Sequence, residues 1–202
     1  MRRAILLLAA CNAATSAPFS HKLHLTLKFE CTSCHLDAAT STRPEDNLLP
    51  RIGVCTQCHV DVGVGKPRTT RVVHFSHEQH LKMGNVAPVI AAAIDKKTYL
   101  QPSGNIRRHL DTKNACEACH RGMAEADPVA PAEMPQMADC LVCHSQIDNP
   151  FSCEKCHAKN ANLKPANHVP EFLDTHTTGK LGLDKTTCAV CHGRTFRCLG
   201  CH

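Results

Sequence analysis

The chain repeats one five-residue pattern, Cys-x-x-Cys-His, seven times in 202 residues. The units read CTSCH at 31–35, CTQCH at 55–59, CEACH at 116–120, CLVCH at 140–144, CEKCH at 153–157, CAVCH at 188–192 and CLGCH at 198–202. Together they contain fourteen of the fifteen cysteines. Because each unit joins two thiols to an imidazole on the next residue, this pattern constrains the chain more than any other feature.

The histidine of each unit separates the three chemistries that paired cysteines support. A disulfide framework gives no reason for a His after every second Cys. Tetrahedral zinc coordination does not require a His at that position either. In a c-type haem site the two thiols form thioethers to one haem, and the adjacent His binds the iron. We therefore predict seven covalently bound haem c groups, with zinc and disulfide scaffolds as the alternatives.

The pattern assigns both the attachment residues and the proximal iron ligands. The predicted attachment cysteines are Cys31, Cys34, Cys55, Cys58, Cys116, Cys119, Cys140, Cys143, Cys153, Cys156, Cys188, Cys191, Cys198 and Cys201. The predicted proximal ligands are His35, His59, His120, His144, His157, His192 and His202.

The composition predicts an interior that the polypeptide does not fill by itself. There are six Phe, one Tyr and no Trp, although aromatic side chains usually supply much of a buried core. Roughly 27 residues for each haem are too few to wrap the cofactors separately. We expect a mostly irregular chain with short α-helices, little β structure and stacked haems as the core. Helices are predicted at Val89–Leu100 and Glu171–Thr177, and a short strand at Arg71–Phe75.

Eight histidines lie outside the units and are candidates for the second axial position of each iron. The phrase Phe-Ser-His-x-x-His occurs twice, as FSHKLH at 19–24 and FSHEQH at 75–80. Residues three apart lie on roughly the same face of a helical turn, so each phrase can serve two neighbouring irons. His74 is left as the spare, and thioether ligation by Met is a minor alternative. The predicted distal ligands are His21, His24, His77, His80, His109, His168 and His176.

The phrase followed by several Cys-x-x-Cys-His units resembles the class III multihaem cytochromes, including the triheme periplasmic carriers. The resemblance implies that every iron has two His ligands and that the two His of one phrase bind different haems. The repeats divide the chain into a diheme unit at 11–70, a triheme unit at 71–162 and a C-terminal diheme unit at 163–202. The middle unit fits the family pattern best. Seven haems and a lipid anchor both depart from it.

The first residues, MRRAILLLAACN, are similar to the leader of a bacterial lipoprotein. Two Arg precede the apolar run Ala4–Ala10, which is typical of a signal peptide. We expect residues 1–10 to be removed, Cys11 to be lipidated, and the protein to reach the periplasmic side or the outer membrane. The alternative is a plain cleaved leader with an incidental Cys11.

These features predict an electron carrier that is not an enzyme and whose partners are other redox proteins. His/His ligation lacks the Met that raises the potential of a haem, so most sites should have low potentials. The alternatives are a subunit or filament unit of a larger electron conduit, and a reductase with one open haem position. The formal charge of +5 does not indicate nucleic-acid binding, because the basic residues do not cluster and base-stacking aromatics are scarce.

Overall fold

The fold is built from short helices joined by irregular chain. A computed structural model of the protein describes residues 19–67, 69–144, 153–175 and 185–193. In these residues the backbone forms eight α-helices and five 3₁₀ turns, and no strand. The predicted architecture of irregular chain with short helices is confirmed at this level.

The α-helices are α1 (His21–Thr26), α2 (Cys31–Cys34), α3 (Ile52–Cys55), α4 (His77–Lys82), α5 (Ala87–Asp95), α6 (Met137–Leu141), α7 (Phe172–Thr175) and α8 (Lys185–His192). The 3₁₀ turns span Ala38–Thr40, Ile106–His109, Ala115–Ala118, Pro131–Glu133 and Cys153–Lys155.

Helix α5 organises a small apolar core in the middle of the chain. Ala87, Ile90 and Ala91 face inward with the three- and four-residue spacing of one helical stripe. The core is completed by Ala93 of the same helix, by Ala138 of α6 and by three residues of the surrounding turns and loops, namely Tyr99, Leu110 and Ala118. Sequence reasoning missed this core because its Ala side chains are too small to stand out in the composition.

The observed element bounds differ from the predicted ones for identifiable reasons. Helix α5 begins before Val89 because Pro88 lies in its first turn, where a proline is tolerated. It ends well before Leu100, since Lys97 adopts a left-handed φ of 58°. The helix expected at Glu171–Thr177 is α7, although residues 176–177 lie outside the described residues. The expected strand at Arg71–Phe75 is reduced to one antiparallel bridge between Val72 and His157.

Contacts join the first and middle parts of the chain. The backbone N–H of Glu78 in α4 donates to the Ser41 carbonyl at 2.9 Å, beside the turn at Ala38–Thr40. On the other side, the Ser20 hydroxyl donates to Asp127 at 2.7 Å. The N-terminal segment therefore packs against the middle one at two places.

Candidate functional site

Five of the Cys-x-x-Cys-His units each form a single helical turn. In the five units at 31–35, 55–59, 116–120, 140–144 and 153–157, the N–H of the His donates to the carbonyl of the first Cys at 2.8–3.0 Å. This bond from residue i+4 to residue i places both thiols and the imidazole on one turn. Each unit can therefore present two thiols and one ring nitrogen to the same planar ligand.

The two Phe-Ser-His-x-x-His phrases fold in the same way. Ser20 caps α1 by accepting from Leu23 N at 3.1 Å. Ser76 caps α4 by accepting from Gln79 N at 3.2 Å. A serine hydroxyl at this position satisfies one of the backbone donors that a helix start leaves free. The Ser of the phrase therefore begins the helix that carries both histidines.

The Phe of each phrase packs against both histidines. The Phe19 ring stacks on His24 at 4.5 Å and meets His21 edge-on at 4.8 Å. In the second phrase, Phe75 makes the same two contacts with His80 and His77, at 4.5 and 4.7 Å. Aromatic rings prefer these stacked and edge-to-face arrangements. One side chain thus fixes the orientation of two imidazoles, a role that the recurrence of the Phe could have indicated.

Backbone hydrogen bonds fix which ring nitrogen remains available. The Nδ1 atom of His24 donates to the Ser20 carbonyl at 2.8 Å, and that of His80 to the Ser76 carbonyl at 2.7 Å. His35 likewise donates to the Leu48 carbonyl at 2.6 Å. Since a carbonyl can only accept, the proton lies on Nδ1 and the Nε2 lone pair is free. Such bonds are the usual means of orienting a histidine that binds metal.

Ten of the histidines that were predicted as ligands meet as five facing pairs. In each pair a His predicted as a distal ligand faces a His predicted as a proximal ligand. The ring centres are separated by 6.2 Å in His21–His35, 6.0 Å in His24–His59, 6.5 Å in His77–His120, 6.3 Å in His80–His144 and 6.2 Å in His168–His192.

These separations suit a single metal ion between two imidazoles. A metal–nitrogen bond is about 2.0–2.1 Å long, and the ring centre lies about 1.1 Å behind the nitrogen, so two rings on opposite sides are roughly 6.3 Å apart. The ring planes fall into two classes. The pairs of His21, His77 and His168 are within 2–11° of parallel, whereas those of His24 and His80 are tilted by 52° and 49°.

Burial favours the neutral form of three of the paired imidazoles. It lowers the pKa of His21 and His77, which are also close to other histidines. Burial lowers the pKa of His120 further, to about 4. Because desolvation disfavours the charged imidazolium, these rings retain the lone pair that a metal needs. The Nδ1 atoms of His21 and His77 are buried without a hydrogen-bond partner among the described residues.

A buried polar network links the units at 116–120 and 140–144. Arg121 donates to Asp139 at 2.8 Å, and both side chains are almost fully buried, with 3% and 2% exposed. The Tyr99 hydroxyl donates to the second carboxylate oxygen of Asp139 at 2.8 Å. Arg121 follows His120 and Asp139 precedes Cys140, so the network holds one unit against the other. Sequence reasoning missed it, since single charged residues beside a motif give no signal of burial.

The remaining predicted ligands are placed differently. Nε2 of His109 accepts a hydrogen bond from Arg108 at 3.0 Å, and the ring lies beside Gly122. His157 donates from Nδ1 to the Arg71 carbonyl at 2.8 Å, which leaves its Nε2 free. His74, the predicted spare, is exposed. Among the described residues, no second imidazole faces His109, His157 or His74. The predicted site residues outside the described ones are Cys11, His176, Cys198, Cys201 and His202.

Across the described ranges, no helix is long and apolar enough to cross a membrane. Within the same ranges, no three metal-binding side chains of His, Cys, Asp or Glu gather at one point. The chain matches no protein-family model, no curated protein and no solved structure.

Proposed function

We propose that the chain is an electron-transfer protein that holds covalent haem c at its seven Cys-x-x-Cys-His units, with two His ligands to each iron. The observation that supports this best is the set of five imidazole pairs, each spaced for one metal ion. Each pair takes one ring from a haem-attachment unit and one from outside it. Haem iron, once bound, supplies one-electron chemistry by cycling between its ferric and ferrous states.

The protein residues hold and orient the cofactors. The thiols of each unit form the covalent links, and the adjacent His binds on the same side. The capped helices α1 and α4 supply the opposite ligands, with Nδ1 of His24 and His80 tied to backbone carbonyls. An iron with two protein imidazoles has no position open to a substrate. This favours a carrier over a reductase, and His/His ligation favours low potentials.

The exposed apolar side chains of the first segment support haems as its interior. Phe19, Leu23 and Leu27 are 51%, 63% and 63% exposed, although they flank the histidines of α1. Exposed apolar side chains gathered in one place usually mark a surface that something covers. We propose that haem covers this one, so that stacked cofactors complete a core that the polypeptide does not form here.

Among the described residues His157 has no facing imidazole, and His176 and His202 lie outside those residues. For the units that end at His157 and His202 we propose His109 and His176 as the distal ligands, with His74 as the spare. His109 would have to release its hydrogen bond from Arg108 to bind iron.

The site chemistry is tested by intact mass and spectra of the protein purified from a host that matures c-type cytochromes. We expect the mass of seven haems, a low-spin spectrum, and no change when carbon monoxide is added to the reduced protein. Paramagnetic resonance should resolve two classes of ferric low-spin signal, from the near-parallel and the tilted ring pairs. Fewer than seven haems, or a high-spin species that binds carbon monoxide, would contradict the proposal.

For the location we propose export, removal of residues 1–10 and a lipid anchor on Cys11, so that the carrier meets its redox partners on the periplasmic side or at the outer membrane. Labelling cells with radioactive palmitate tests the anchor. The label should enter the wild-type protein and be absent from the Cys11→Ala variant. Label that persists in the variant would rule out this anchor.

A further inference from the structure

Two haem-attachment cysteines from different parts of the chain are neighbours. Cys31 belongs to the first predicted unit and Cys116 to the middle one. Both are hydrogen-bonded to Asn114, and both line the same cleft. Each is the first Cys of its motif, so each would carry one edge of a different haem. The attachment points of the two predicted units therefore lie side by side.

Asn114 ties these two cysteines together. Its side-chain oxygen accepts from the backbone N–H of Cys116 at 3.0 Å, capping the 3₁₀ turn Ala115–Ala118. Its side-chain nitrogen donates to the Cys31 sulfur at 3.3 Å. A thioether sulfur, like that of Met, is still a weak acceptor. The second bond is therefore compatible with a haem attached at Cys31.

The loop that carries Asn114 is itself anchored. The backbone N–H of Asn114 donates to the Thr112 hydroxyl at 3.1 Å, and that hydroxyl donates to Glu117. Asn85 holds the same loop from the other side, since its side-chain nitrogen donates to the Thr112 carbonyl at 2.6 Å. A cleft of about 320 Å³ opens beside Asn114, and Cys31, Cys116 and His120 line part of it. The cleft therefore lies between residues of the two units.

We propose that Asn114 is a positioning residue: it holds the attachment point at Cys31 against the one at Cys116 and thereby sets the spacing of two haems from different units. This inference rests on the proposed function, because it needs a haem at each cysteine. Asn114 suits the role, since one amide group binds a turn of one unit and the sulfur of the other. A Ser or Asp would cap the turn equally well but would not donate to the sulfur in the same way.

The test compares Asn114→Asp with Asn85→Asp. Asn85 accepts from Ala87 N at 3.0 Å and donates to Thr112, so each substitution keeps one accepted bond, removes one donated bond and adds one negative charge. Asn85 anchors the same loop without touching either sulfur, and so controls for general loosening. The readout is the circular dichroism of the Soret band, where neighbouring haems give a couplet that depends on their distance and orientation.

We expect both variants to keep seven haems by mass and to lose similar stability in urea. Only Asn114→Asp should change the Soret couplet. Loss of one typical hydrogen bond should shift the equilibrium between joined and separated attachment points about fivefold toward the separated state. An unchanged couplet in Asn114→Asp, or an equal change in Asn85→Asp, would overturn the inference. Loss of a haem from Asn114→Asp alone would also overturn the inference, because Asn114 would then be needed for haem attachment and not for haem spacing. A wild-type protein without seven haems would instead refute the proposed function.

Discussion

The two Phe-Ser-His-x-x-His regions share their histidine geometry and differ in what surrounds it. Ring pairs of the first phrase are separated by 6.2 and 6.0 Å with planes at 5° and 52°. The second phrase gives 6.5 and 6.3 Å with 11° and 49°. The Phe contacts, the serine caps and the Nδ1 bonds are repeated as well. The local phrase therefore sets how its own two imidazoles are held, whereas the rings that they face come from other parts of the chain.

The two regions differ in the amount of buried protein that supports these histidines. Helices α1, α2 and α3 of the first region contain no buried residue. The middle region has the apolar core around α5 and the buried pair of Arg121 and Asp139. Under the proposed function the first region takes its interior from haem, whereas the middle region also has one made of protein. Four pairs of substitutions test this contrast, each measured by urea unfolding followed by far-ultraviolet circular dichroism.

The largest effect is expected from the ion pairs. Asp139→Ala leaves Arg121 as a buried, unpaired charge, which should lower the free energy of unfolding by about 3–5 kcal/mol. The matched variant in the first region is Asp37→Ala. Its partner Arg51 is 72% exposed, so the loss should stay below about 1 kcal/mol. Equal losses in the two variants would remove the contrast between the regions.

The phenylalanines should behave alike, because their contacts are the same in both regions. Phe19→Leu and Phe75→Leu keep an apolar side chain but lose the ring contacts, which should cost about 0.5–1.5 kcal/mol each. The paramagnetic signal of the tilted pairs should shift as well, since the ring stacked on His24 or His80 is gone. A shift in only one variant would show that the two phrases are not equivalent.

Removal of the two N-cap serines should lower the free energy of unfolding by different amounts. Ser20→Ala should lower the free energy of unfolding by about 1 kcal/mol, the usual value of an N-cap. Both hydroxyls also donate a hydrogen bond, Ser20 to Asp127 at 2.7 Å and Ser76 to the Ser41 carbonyl at 3.4 Å, but Ser76 is buried with 8% exposure. Ser76→Ala should therefore cost more, up to about 2 kcal/mol. A smaller loss for Ser76→Ala than for Ser20→Ala would contradict the role of burial.

The smallest effect is expected just beyond the ends of α1 and α4, where one copy has Lys and the other has Gly. Lys28 and Gly84 occupy the same place and both have positive φ, 61° and 81°. A residue other than Gly pays about 1 kcal/mol in this conformation, so Gly84→Lys should destabilise by about that amount. Lys28→Gly should stabilise by less than about 1 kcal/mol, because Gly also gains freedom in the unfolded chain. No atom lies within 4 Å of a Cβ at Gly84, so only the backbone contributes.

Much of the candidate site could be predicted from the sequence because its parts are local. The turn of each Cys-x-x-Cys-His unit and the spacing of His21 and His24 follow from residues a few positions apart. Which rings face each other could not be predicted. The pairing of His24 with His59, and not with His35, depends on how the chain between them returns, and no short pattern encodes that path.

The protein core and the junction at Asn114 were missed for a similar reason. An Ala-rich segment such as α5 looks unremarkable until its neighbours are known. Asn114, Tyr99 and Asp139 each act through a partner at least twelve residues away in sequence, so their roles depend on the tertiary structure. All the predicted ligand roles, including those of His109 and His176, stay predictions.

The order of the paired histidines along the chain has a consequence for biogenesis. In all five pairs the ring outside the motif precedes the ring inside it, from His21 before His35 to His168 before His192. A polypeptide is made and delivered from its N-terminus. Each of the five paired motifs therefore emerges after the His that faces it. Under the proposed function, attachment at these five motifs could proceed in chain order, because the second ligand of each haem would already be present.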